Sequence, residues 1–313
     1  MKLQQLRYLV EVERRGLNVS SAAEVLHTSQ PGVSKQIAML EAELGITIFD
    51  RTGKRFTGVT AAGRIVLSMA QRILGETQNM KRVGEDFAAD GRGALSIATT
   101  HTQARYTLPA VIKDFVRHHP GIRLHIHQGS PQQVADWVLD RSADLGIATE
   151  ALDRYDELLT LPCFQWAHLV VTPQGHPLLS RQPLSLAALA EYPLITYDAT
   201  FTGRSRIDRA FERQQLRPDV MLTAIDSDVI KTYVELGLGV GIIAEMAFDP
   251  ERDTGLAALS ATHLFEGNTT RIAFRRDAWL RQHEFDFMQL LAPQLNRQVI
   301  EATLRADGVD PGL

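Results

Sequence analysis

Three threonine hydroxyls and one glutamine amide lie close together in the segment Ile97-Ala-Thr-Thr-His-Thr-Gln103, directly after an apolar stretch. Thr149 follows a second apolar stretch, and Thr202-Gly203 precedes an amphipathic one. The first turn of a helix exposes unpaired N–H groups and a partial positive charge, so uncharged donors placed there can bind an anion without a cationic side chain. These residues therefore predict a site for a compact anion or a small zwitterion.

Each of these threonines has a simpler explanation when it is considered alone. Thr and Ser at the start of a helix usually accept a hydrogen bond from the backbone of that same helix. The prediction of a binding site therefore depends on several such turns facing one cleft.

Strands and helices alternate around these residues in the larger, C-terminal part of the chain. Apolar runs predict strands at 94–98, 123–127 and 145–148. Helical periodicity predicts helices at 103–117 and after Ser130. This βαβαβ order is typical of a parallel sheet with helices on both faces.

A second alternating series begins after Pro162, and the chain then returns to the first series through a strand at 270–274. The strands expected in the second series are 167–171, 194–197, 220–224 and 240–244. Two α/β lobes joined by crossing strands enclose a cleft, and open sheets bind ligands at the carboxyl ends of their strands. We therefore expect the threonines to meet between two lobes.

Three short helices precede this region. Apolar residues at helical spacing predict the first helix at 3–15, and Asn18 can cap a second helix. Ser29 and Pro31 suit the start of a third helix, which stops at Gly45. The short connection between the last two helices is typical of a helix-turn-helix, whose second helix enters the major groove of DNA.

A basic glycine turn at 50–56 lies between two expected strands, 46–49 and 57–60, and is typical of a wing that contacts phosphates. The residues that we expect to contact DNA are Ser29, Gln30, Pro31, Ser34, Lys35, Arg51, Lys54 and Arg55. Any three-helix bundle exposes some Gln, Ser and Lys side chains, so an ordinary solvated surface is the simpler alternative.

A long helix with a seven-residue apolar repeat is expected at 61–90. The apolar positions of the repeat are Ala62, Val66, Met69, Ile73, Met80, Val83 and Phe87. A single helix cannot bury such a stripe, whereas pairing with the same helix of a second copy would bury it and also pair two DNA-reading domains. Docking on the chain's own downstream domain is the alternative.

The composition is that of an ordinary globular protein. The 313 residues are 44% hydrophobic and 22% charged, and the net charge is −4. The charged N-terminus lacks the apolar core of a secretion signal, and no apolar run is long enough to span a bilayer, so we expect a cytoplasmic protein without a membrane partner. The single cysteine, Cys163, cannot form an internal disulfide.

No residue pattern supports an enzyme or a cofactor-binding protein. Cys163 lies in an apolar setting without an assignable base beside it. The glycines at 237–241 come after a helix and before a strand, which is the reverse of a phosphate-binding turn. His125 and His127 share an expected strand face, but no Cys or spaced carboxylate completes a metal site. We therefore predict no catalytic residue, no cofactor and no metal.

A dense pattern covers the N-terminal part: Ala22–Ile37, Leu40-Glu41, Glu43-Leu44-Gly45, Phe49, Arg51 and Thr60-Ala-Ala-Gly63. It resembles the DNA-binding segment of LysR-type transcriptional regulators. That family typically has arginine where this chain has Lys35, and lysine lacks the fork geometry of the bidentate guanine contact that arginine makes. The resemblance also implies a homotetramer built from dimers that pair through their linker helices.

Further matching segments are Ile97–Tyr106, His125 with His127–Pro131, Ile147–Ala151, Leu161–Cys163 with Trp166, Phe201–Ser205 and Asp228–Tyr233. They resemble the CysB-like branch of the LysR family, which senses sulfur supply. The resemblance implies a cleft for sulfate, O- or N-acetylserine, adenosine phosphosulfate or a related sulfur signal. By matching position, its effector-binding residues are Thr100, Thr102, Gln103, Thr149, Trp166 and Thr202. The stretch Tyr197–Phe201 departs from the family pattern, and its Asp198 can change which anion is accepted.

We therefore predict an α/β protein with an N-terminal winged helix-turn-helix (1–60), a linker helix for dimerisation (61–90) and a two-lobed effector domain like that of periplasmic binding proteins (91–313). Lobe I would comprise 91–163 and 267–313, and lobe II 164–266. The expected function is transcriptional regulation of sulfur-assimilation genes, with promoter DNA, the small effector, a second copy and RNA polymerase as partners.

Two alternatives stand beside this function. One is a regulator of another metabolic pathway with the same fold. The other is the solute-binding protein of a transporter, which would use a two-lobed cleft equally well. The missing export signal and a DNA-binding region of about 90 residues, which a solute receptor does not need, argue against the second alternative.

Overall fold

The computed structural model of the chain describes residues 1–53, 55–88, 92–181 and 183–306, without the side chains of residues 85–88, 150 and 202. Met1–Ala88 and Asp277–Trp279 form one unit, and the rest of the described chain forms a second. The first unit is a winged helix-turn-helix with a long helix, and the second is a two-sheet α/β domain. The fold class expected from the sequence is confirmed.

The first unit begins with three helices and a two-stranded wing. Their bounds are α1 Leu3–Arg14, α2 Val19–Val25, α3 Gln30–Leu44, β1 Phe49–Thr52 and β2 Arg55–Val59. The side chain of Asn18 accepts a hydrogen bond from the N–H of Ser21 at 3.1 Å and thereby caps α2. Ser29 caps α3 in the same way, so the expected helix starts are correct. The first wing strand lies three residues later than expected.

The three helices bury their apolar faces against one another. Leu9, Val33, Ile37 and Leu40 are fully buried in this core. Leu44 continues the helical spacing of these apolar residues, but it is 40% exposed because it is the last residue of α3. The hydrophobic residues that recur at i, i+4 and i+7 in α3 thus hold the helix in place and leave its other face open.

The helix after the wing, α4, runs over Ala61–Ala88. Its large exposed apolar side chains are Ile65, Met69, Ile73 and Met80. Val66, which the repeat assigns to the same stripe, packs instead against the core of the first unit. Phe87, also assigned to the stripe, has a side chain outside the described part of the chain. Within the described residues, no helix combines the length and the apolar character that a membrane crossing requires.

The second unit contains ten strands and seven α-helices among its described residues. The strands are β3 Gly93–Thr99, β4 Ile122–Gln128, β5 Leu145–Ala148, β6 Leu158–Trp166, β7 His168–Pro173, β8 Leu194–Tyr197, β9 Val220–Ala224, β10 Val240–Ala244, β11 Leu256–Ser260 and β12 Asn268–Arg275. The helices are α5 Leu108–His118, α6 Pro131–Leu139, α7 Leu186–Leu189, α8 Thr202–Arg213, α9 Ser227–Glu235, α10 Gln282–Leu291 and α11 Arg297–Ala306.

These strands form two five-stranded sheets, which define two lobes. Lobe I has the strand order β4-β3-β5-β12-β6, and lobe II has the order β11-β7-β10-β8-β9. In lobe I the pairs of β3 with β4 and β5 are parallel, and in lobe II the pairs of β8 with β9 and β10 are parallel. The remaining pairs in both sheets are antiparallel.

The chain crosses from lobe I to lobe II between β6 and β7, and it returns between β11 and β12. Strand β6 continues to Trp166, so the first crossing lies at Ala167 and not at the expected boundary after Cys163. The sequence did not indicate β11, whose small residues Ala257 and Ala258 give a weak strand signal.

The central strands of lobe II are apolar on both faces because helices cover both sides of the sheet. Leu194 and Ile242 pack into one core, and their neighbours Ile195 and Ile243 pack into another on the opposite face. Such strands lack the alternation of half-buried strands, which explains their short continuous apolar runs in the sequence.

The helix between β3 and β4 is not the uniform α-helix expected at 103–117. It begins at His101, passes through a π-helical turn at Gln103–Thr107 and continues as α5. The N–H of Leu108 donates to the carbonyl of Gln103, five residues earlier. Such turns insert one extra residue into a helix and are frequent at functional sites.

Gly63 in α4 offers a test of how tightly this helix packs against Ile48, the residue that precedes the first wing strand. A Cβ at Gly63 would lie 2.1 Å from the carbonyl oxygen of Ile48, whereas a Cβ at Gly84 of the same helix would meet nothing within 4 Å. We expect Gly63→Ala to lower the free energy of unfolding by about 1–3 kcal/mol through overpacking. Gly84→Ala should raise it by up to about 1 kcal/mol through helix propensity.

Urea unfolding of the full chain, followed by circular dichroism, measures both changes. Equal unfolding midpoints for the two variants would contradict the close contact at Gly63.

Candidate functional site

A pocket between the two lobes of the second unit is lined by residues at the ends of strands. The lining residues are Thr100, Thr102, Gln103, Pro131, Thr149, Trp166, Tyr197, Phe201, Gly203 and Ala244. Five of the six effector-binding residues expected from the sequence therefore lie together. The side chain of the sixth, Thr202, is outside the described part of the chain, and its neighbour Gly203 is in the lining. The empty space is about 400 Å³ and opens to solvent.

Three helices begin at this pocket. The carbonyl of Thr100 accepts the first helical hydrogen bond, from Ala104 at 3.0 Å, so the helix that starts at His101 begins directly after a lining residue. Pro131 is the first residue of α6, and Gly203 is the second residue of α8. The first-turn N–H groups of a helix have no carbonyl partner within it, so three positive helix ends lie around one space.

These helix starts differ in how they are capped. Ser130 and Gln133 form a reciprocal capping box at α6, with Ser130 Oγ accepting from Gln133 N–H at 3.3 Å. Phe201 precedes α8 and has no side chain that can accept a hydrogen bond. The first N–H groups of α8 therefore lack the side-chain cap that α6 has.

Gly203 packs tightly at the start of α8. A Cβ at Gly203 would lie 3.1 Å from Nε2 of His168 and 3.7 Å from the Trp166 ring. His168 is 1% exposed, and burial followed by the charge of Arg206 lowers its pKa to about 4, so the imidazole is neutral at physiological pH. The close approach brings the backbone of α8 directly against the indole that lines the pocket.

The lining carries no formal charge: among the described residues that form it, none is Asp, Glu, Lys, Arg or His. Its polar groups are threonine hydroxyls, the Gln103 amide, the Trp166 indole, the Tyr197 hydroxyl and backbone groups. The expected chemistry of uncharged donors at helix beginnings therefore matches the composition of the pocket.

The Tyr197 hydroxyl connects lobe II to lobe I. It lies 2.7 Å from Ser227 Oγ and accepts a hydrogen bond from the N–H of Ala244 at 2.8 Å. The Thr102 side chain from lobe I lies near the same hydroxyl and lowers its pKa. Burial raises the pKa of Tyr197 by more than its hydrogen bonds lower it, so the pKa lies above its ordinary value. The hydroxyl therefore stays protonated and can act as donor as well as acceptor.

Two buried polar atoms of the lining lack a hydrogen-bond partner within the described residues. They are Gln103 Oε1 and Trp166 Nε1, in side chains that are 2% and 8% exposed. The other amide atom of Gln103 donates to Thr270 Oγ1 on β12 at 3.0 Å. Unpaired buried polar groups are unfavourable unless water or a ligand satisfies them. A bound molecule could satisfy both atoms.

Thr99 shows that the simpler alternative holds for part of the opening segment. Its hydroxyl donates to the carbonyl of Ile147 on the neighbouring strand at 2.9 Å, and the residue is fully buried. Thr99 therefore stabilises the sheet, whereas Thr100 and Thr102 reach the pocket.

Sequence reasoning missed four lining residues, Pro131, Tyr197, Phe201 and Ala244, and named Gly203 only as the neighbour of Thr202. Their position at the end of a strand or the start of a helix was the available signal. Asp198, which we expected to influence the choice of anion, is not in the lining. Its carboxylate accepts hydrogen bonds from the N–H and hydroxyl of Thr200 at 2.9 and 2.8 Å, within its own loop.

One group of possible metal ligands lies beside the pocket segment. The ligand atoms of His101, Asp226 and Asp228 lie within 4.8 Å of one another. Asp226 already accepts a hydrogen bond from the N–H of Val229 as the cap of α9, and Asp228 pairs with Arg105. The carboxylates thus have protein partners, and the geometry gives them a structural role.

The residues expected to contact DNA lie on the first unit. Ser29, Gln30, Pro31, Lys35, Arg51 and Arg55 are exposed, Ser34 is half-buried, and Lys54 lies outside the described residues. Gln30 donates to Ser34 Oγ at 3.0 Å, which aligns two polar side chains on one face of α3. Because Gln30 and Lys35 are both exposed, this part of α3 is open to solvent.

Arg51 has partners within its own unit. Its guanidinium pairs with Glu41 of α3 and lies 4.9 Å from the centre of the Phe56 ring. Glu41 also accepts hydrogen bonds from the N–H groups of Ile48 and Phe49 at 2.8 and 3.2 Å. Arg51 and Glu41 therefore fasten the wing to the third helix.

Two family models cover most of the chain. The bacterial regulatory helix-turn-helix protein of the lysR family matches residues 3–64, and the LysR substrate binding domain matches residues 88–296. The chain belongs to the LysR family. Regulators of this family bind promoter DNA and a small-molecule effector and are not enzymes, in agreement with the function class expected from the sequence.

Named relatives place the chain near one group of LysR regulators. The HTH-type transcriptional regulator SsuR of Burkholderia cenocepacia is 53% identical, over 97% of this chain and 99% of that protein. The regulator CysB of the same organism is 54% identical, over 98% of each chain. The crystal structure of the cofactor-binding domain of the Cbl transcriptional regulator is similar with a TM-score of 0.66 and 44% identity, over 69% of this chain and 94% of that one. The CysB-like resemblance is confirmed.

The thiol of this LysR-family chain should be unreactive. Cys163 is 6% exposed, and burial raises its pKa to about 12. At pH 8 only about one thiol in ten thousand would be ionised, compared with about one in ten for the ordinary value of 9.0. We expect Ellman's reagent to label the native protein about a thousand times more slowly than the urea-unfolded protein at pH 8. Comparable rates in the two states would show an accessible thiolate.

Proposed function

We propose that this LysR-family protein regulates sulfur-assimilation genes, for cysteine synthesis or sulfonate use, in response to a small anionic or zwitterionic effector held between its lobes. Sulfate, O- or N-acetylserine and adenosine phosphosulfate represent the class. The observation that carries the proposal is the pocket: three helix beginnings and five expected donor residues surround a space whose described lining is uncharged. Its effector-binding residues are Thr100, Thr102, Gln103, Thr149, Trp166 and Thr202.

Electrostatics favours an anion in such a pocket. Each helix N-terminus carries roughly half a positive charge on unpaired N–H groups. Hydroxyl and indole donors add hydrogen bonds that are stronger when the acceptor is charged. A pocket without carboxylates imposes no like-charge repulsion on an anion, and one without lysine or arginine leaves the bound anion exchangeable.

The size and lining favour a small effector. The empty space of about 400 Å³ includes part of the mouth that is open to solvent, so the room within the pocket suits only a small molecule. Pro131, Phe201 and Ala244 provide apolar wall beside the polar groups. Gln103 Oε1 and Trp166 Nε1 have no partner within the described residues, so the first is free to accept a hydrogen bond from a bound molecule and the second is free to donate one. These two groups suit a molecule with both an anionic end and an N–H or O–H group.

The DNA contacts are proposed for the exposed face of α3 and for the wing. Gln30, Ser34 and Lys35 would meet base edges or phosphates, and Ser29 and Pro31 would position the start of α3. Arg55 and Lys54 would lie along phosphates. Arg51 contributes positive charge while its pairing with Glu41 holds the wing in place.

Dimerisation is proposed through α4. Its exposed apolar side chains Ile65, Met69, Ile73 and Met80 recur at intervals that place them along one side of the helix. A second copy of the same helix would cover them and would bring two DNA-binding domains to two half-sites. Two such dimers would give the expected homotetramer in the cytoplasm, with RNA polymerase as a further partner on promoter DNA.

Thr102→Val tests the effector site. Valine keeps the shape of threonine but removes a hydroxyl from the pocket lining. We expect sulfate or an acetylserine to raise the melting temperature of the wild-type chain. The variant should bind the same compound about tenfold more weakly, because it loses one hydrogen bond to a charged group.

Calorimetric titration of the full chain measures this affinity. Thr303→Val is the matched control, because that hydroxyl donates to Val299 in α11 and the residue is not in the pocket lining. Undiminished affinity in Thr102→Val would remove Thr102 from the site. The lack of any melting shift with every compound of the class would contradict the proposed effector.

Lys35→Ala tests the DNA contact. The side chain is exposed on α3, and a lysine that neutralises a phosphate contributes about one to the slope of log affinity against log salt. We expect weaker binding to DNA from upstream of sulfur-assimilation genes and a slope reduced by about one. Gel-shift titrations at several salt concentrations measure both.

Lys113→Ala, which removes an exposed lysine of α5 in the second unit, should leave the slope unchanged. An unaltered slope in Lys35→Ala would show that this lysine does not contact phosphate.

A further inference from the structure

An ionic cluster joins the two lobes beside the pocket. It consists of His101, Arg105 and Tyr106 from the helical turn of lobe I, and of Asp228 and Lys231 from α9 of lobe II. We call these five residues the interlobe clasp. None of them is in the pocket lining, yet the turn that carries the first three also carries Thr102 and Gln103.

Asp228 is the centre of the interlobe clasp. Its Oδ1 accepts a hydrogen bond from the Tyr106 hydroxyl at 2.6 Å, and its Oδ2 lies 2.6 Å from Arg105 Nε. Nε2 of His101 lies 3.6 Å from the same Oδ2. One carboxylate therefore contacts three side chains of the turn in the other lobe.

The lobe II side of the clasp is anchored within its own lobe. Lys231 donates to the carbonyl of Ala247 at 2.8 Å and to Asp253 at 2.9 Å, and its ammonium lies 3.5 Å from Asp228. The same ammonium lies 5.3 Å from the centre of the Tyr106 ring. Lys231 is 9% exposed, so α9 offers Asp228 from a fixed position.

The Asp228 carboxylate is ionised in this setting. Burial raises the pKa of this carboxyl group, but the hydrogen bond from Tyr106 and the charges of Lys231 and Arg105 lower it by more, so the pKa lies below its ordinary value. Tyr106 also packs against the apolar core of lobe II. The contact between the lobes at this point thus combines charge, a short hydrogen bond and apolar burial.

Two routes connect the clasp to the pocket. The first is the helical turn, in which Arg105 and Tyr106 closely follow Thr102 and Gln103 in the chain. The second is Ser227, next to Asp228, whose hydroxyl lies 2.7 Å from the Tyr197 hydroxyl. A shift of α9 relative to the turn would therefore change the positions of donors from both lobes.

We infer that Asp228 is a positioning residue for effector binding: through Arg105 and Tyr106 it holds the turn of lobe I in the place where Thr102 and Gln103 face lobe II. This inference rests on the proposed function of the pocket. An effector binds the arrangement in which both lobes contribute donors, so its apparent affinity is reduced by the fraction of molecules in that arrangement. The clasp raises that fraction without touching the effector.

The test uses the full-length chain with Asp228→Asn and, separately, Arg105→Gln. Asparagine keeps the shape of the aspartate but loses its charge, and Arg105→Gln leaves α9 untouched in case the first variant folds poorly. Calorimetric titration with inorganic sulfate should give a dissociation constant at least fivefold higher in each variant. The double variant should have about the same dissociation constant for sulfate as the weaker-binding single variant, because the two residues act through one contact.

A second measurement needs no ligand. Hydrogen–deuterium exchange of residues 101–107, followed by mass spectrometry without sulfate, should be at least fivefold faster in both variants than in the wild-type chain. Glu191→Gln is the matched control: it removes an ion pair of 2.8 Å with Arg181 that lies wholly within lobe II. Its sulfate affinity and its exchange at 101–107 should equal those of the wild type.

The outcomes distinguish the positioning role of Asp228 from the proposed effector of the pocket. Wild-type affinity for sulfate in Asp228→Asn and Arg105→Gln would overturn the positioning role, as would unchanged exchange at 101–107. Failure of the wild-type chain and of every variant to bind sulfate or an acetylserine would count against the proposed effector, while the exchange measurement would still decide whether the clasp holds the turn.

Discussion

The double crossing of the chain between two sheets is the constraint on which the second unit depends. Strand β6, at one edge of the lobe I sheet, ends at Trp166, and β7, which lies between β11 and β10 in lobe II, begins at His168, so a single residue separates the two sheets at this crossing. The carboxyl ends of β3, β5, β6, β8 and β10 all contribute to one pocket as a result. Side chains that are far apart in sequence meet in this pocket because the two crossings bring the carboxyl ends of these strands together.

Charge is kept out of the pocket lining and concentrated one helical turn away. The lining offers hydroxyl, amide and indole groups and the beginnings of three helices, whereas the carboxylate of Asp228 and its cationic partners lie at the junction of the lobes. Separating the two sets has a physical advantage. A neutral pocket can release its ligand, and a charged contact outside it can hold the lobes together without competing for that ligand.

Most of the architecture follows from local signals in the sequence, and the pocket follows only in part. The caps at Asn18 and Ser29, most of the apolar strand runs and the seven-residue repeat predict the helices and strands that they mark, because these signals come from residues that are close in sequence; the first wing strand was expected three residues too early and β11 was not predicted. Thr100, Thr102, Gln103, Thr149 and Trp166 were found because their types and positions suit donors at strand ends and match a family pattern. Tyr197 and Ala244 also end strands, but they were missed because their hydrogen bond to each other and that of Tyr197 to Ser227 join residues that are far apart in sequence. The inward packing of Val66 likewise depends on tertiary packing that overrides periodicity.

The π-helical turn at Gln103–Thr107 sets the angle between the ligand-facing and core-facing sides of one helix. A single added residue rotates the rest of the helix by about 100° relative to a regular α-helix, so Gln103 reaches β12 while Leu108 and Phe115 still enter the core. Deleting one residue here would turn a different set of side chains toward the cavity, because each residue of a helix accounts for about 100° of rotation. Descendants of such a protein could thus acquire a new chemical preference through one small length change, without rebuilding the domain that carries it.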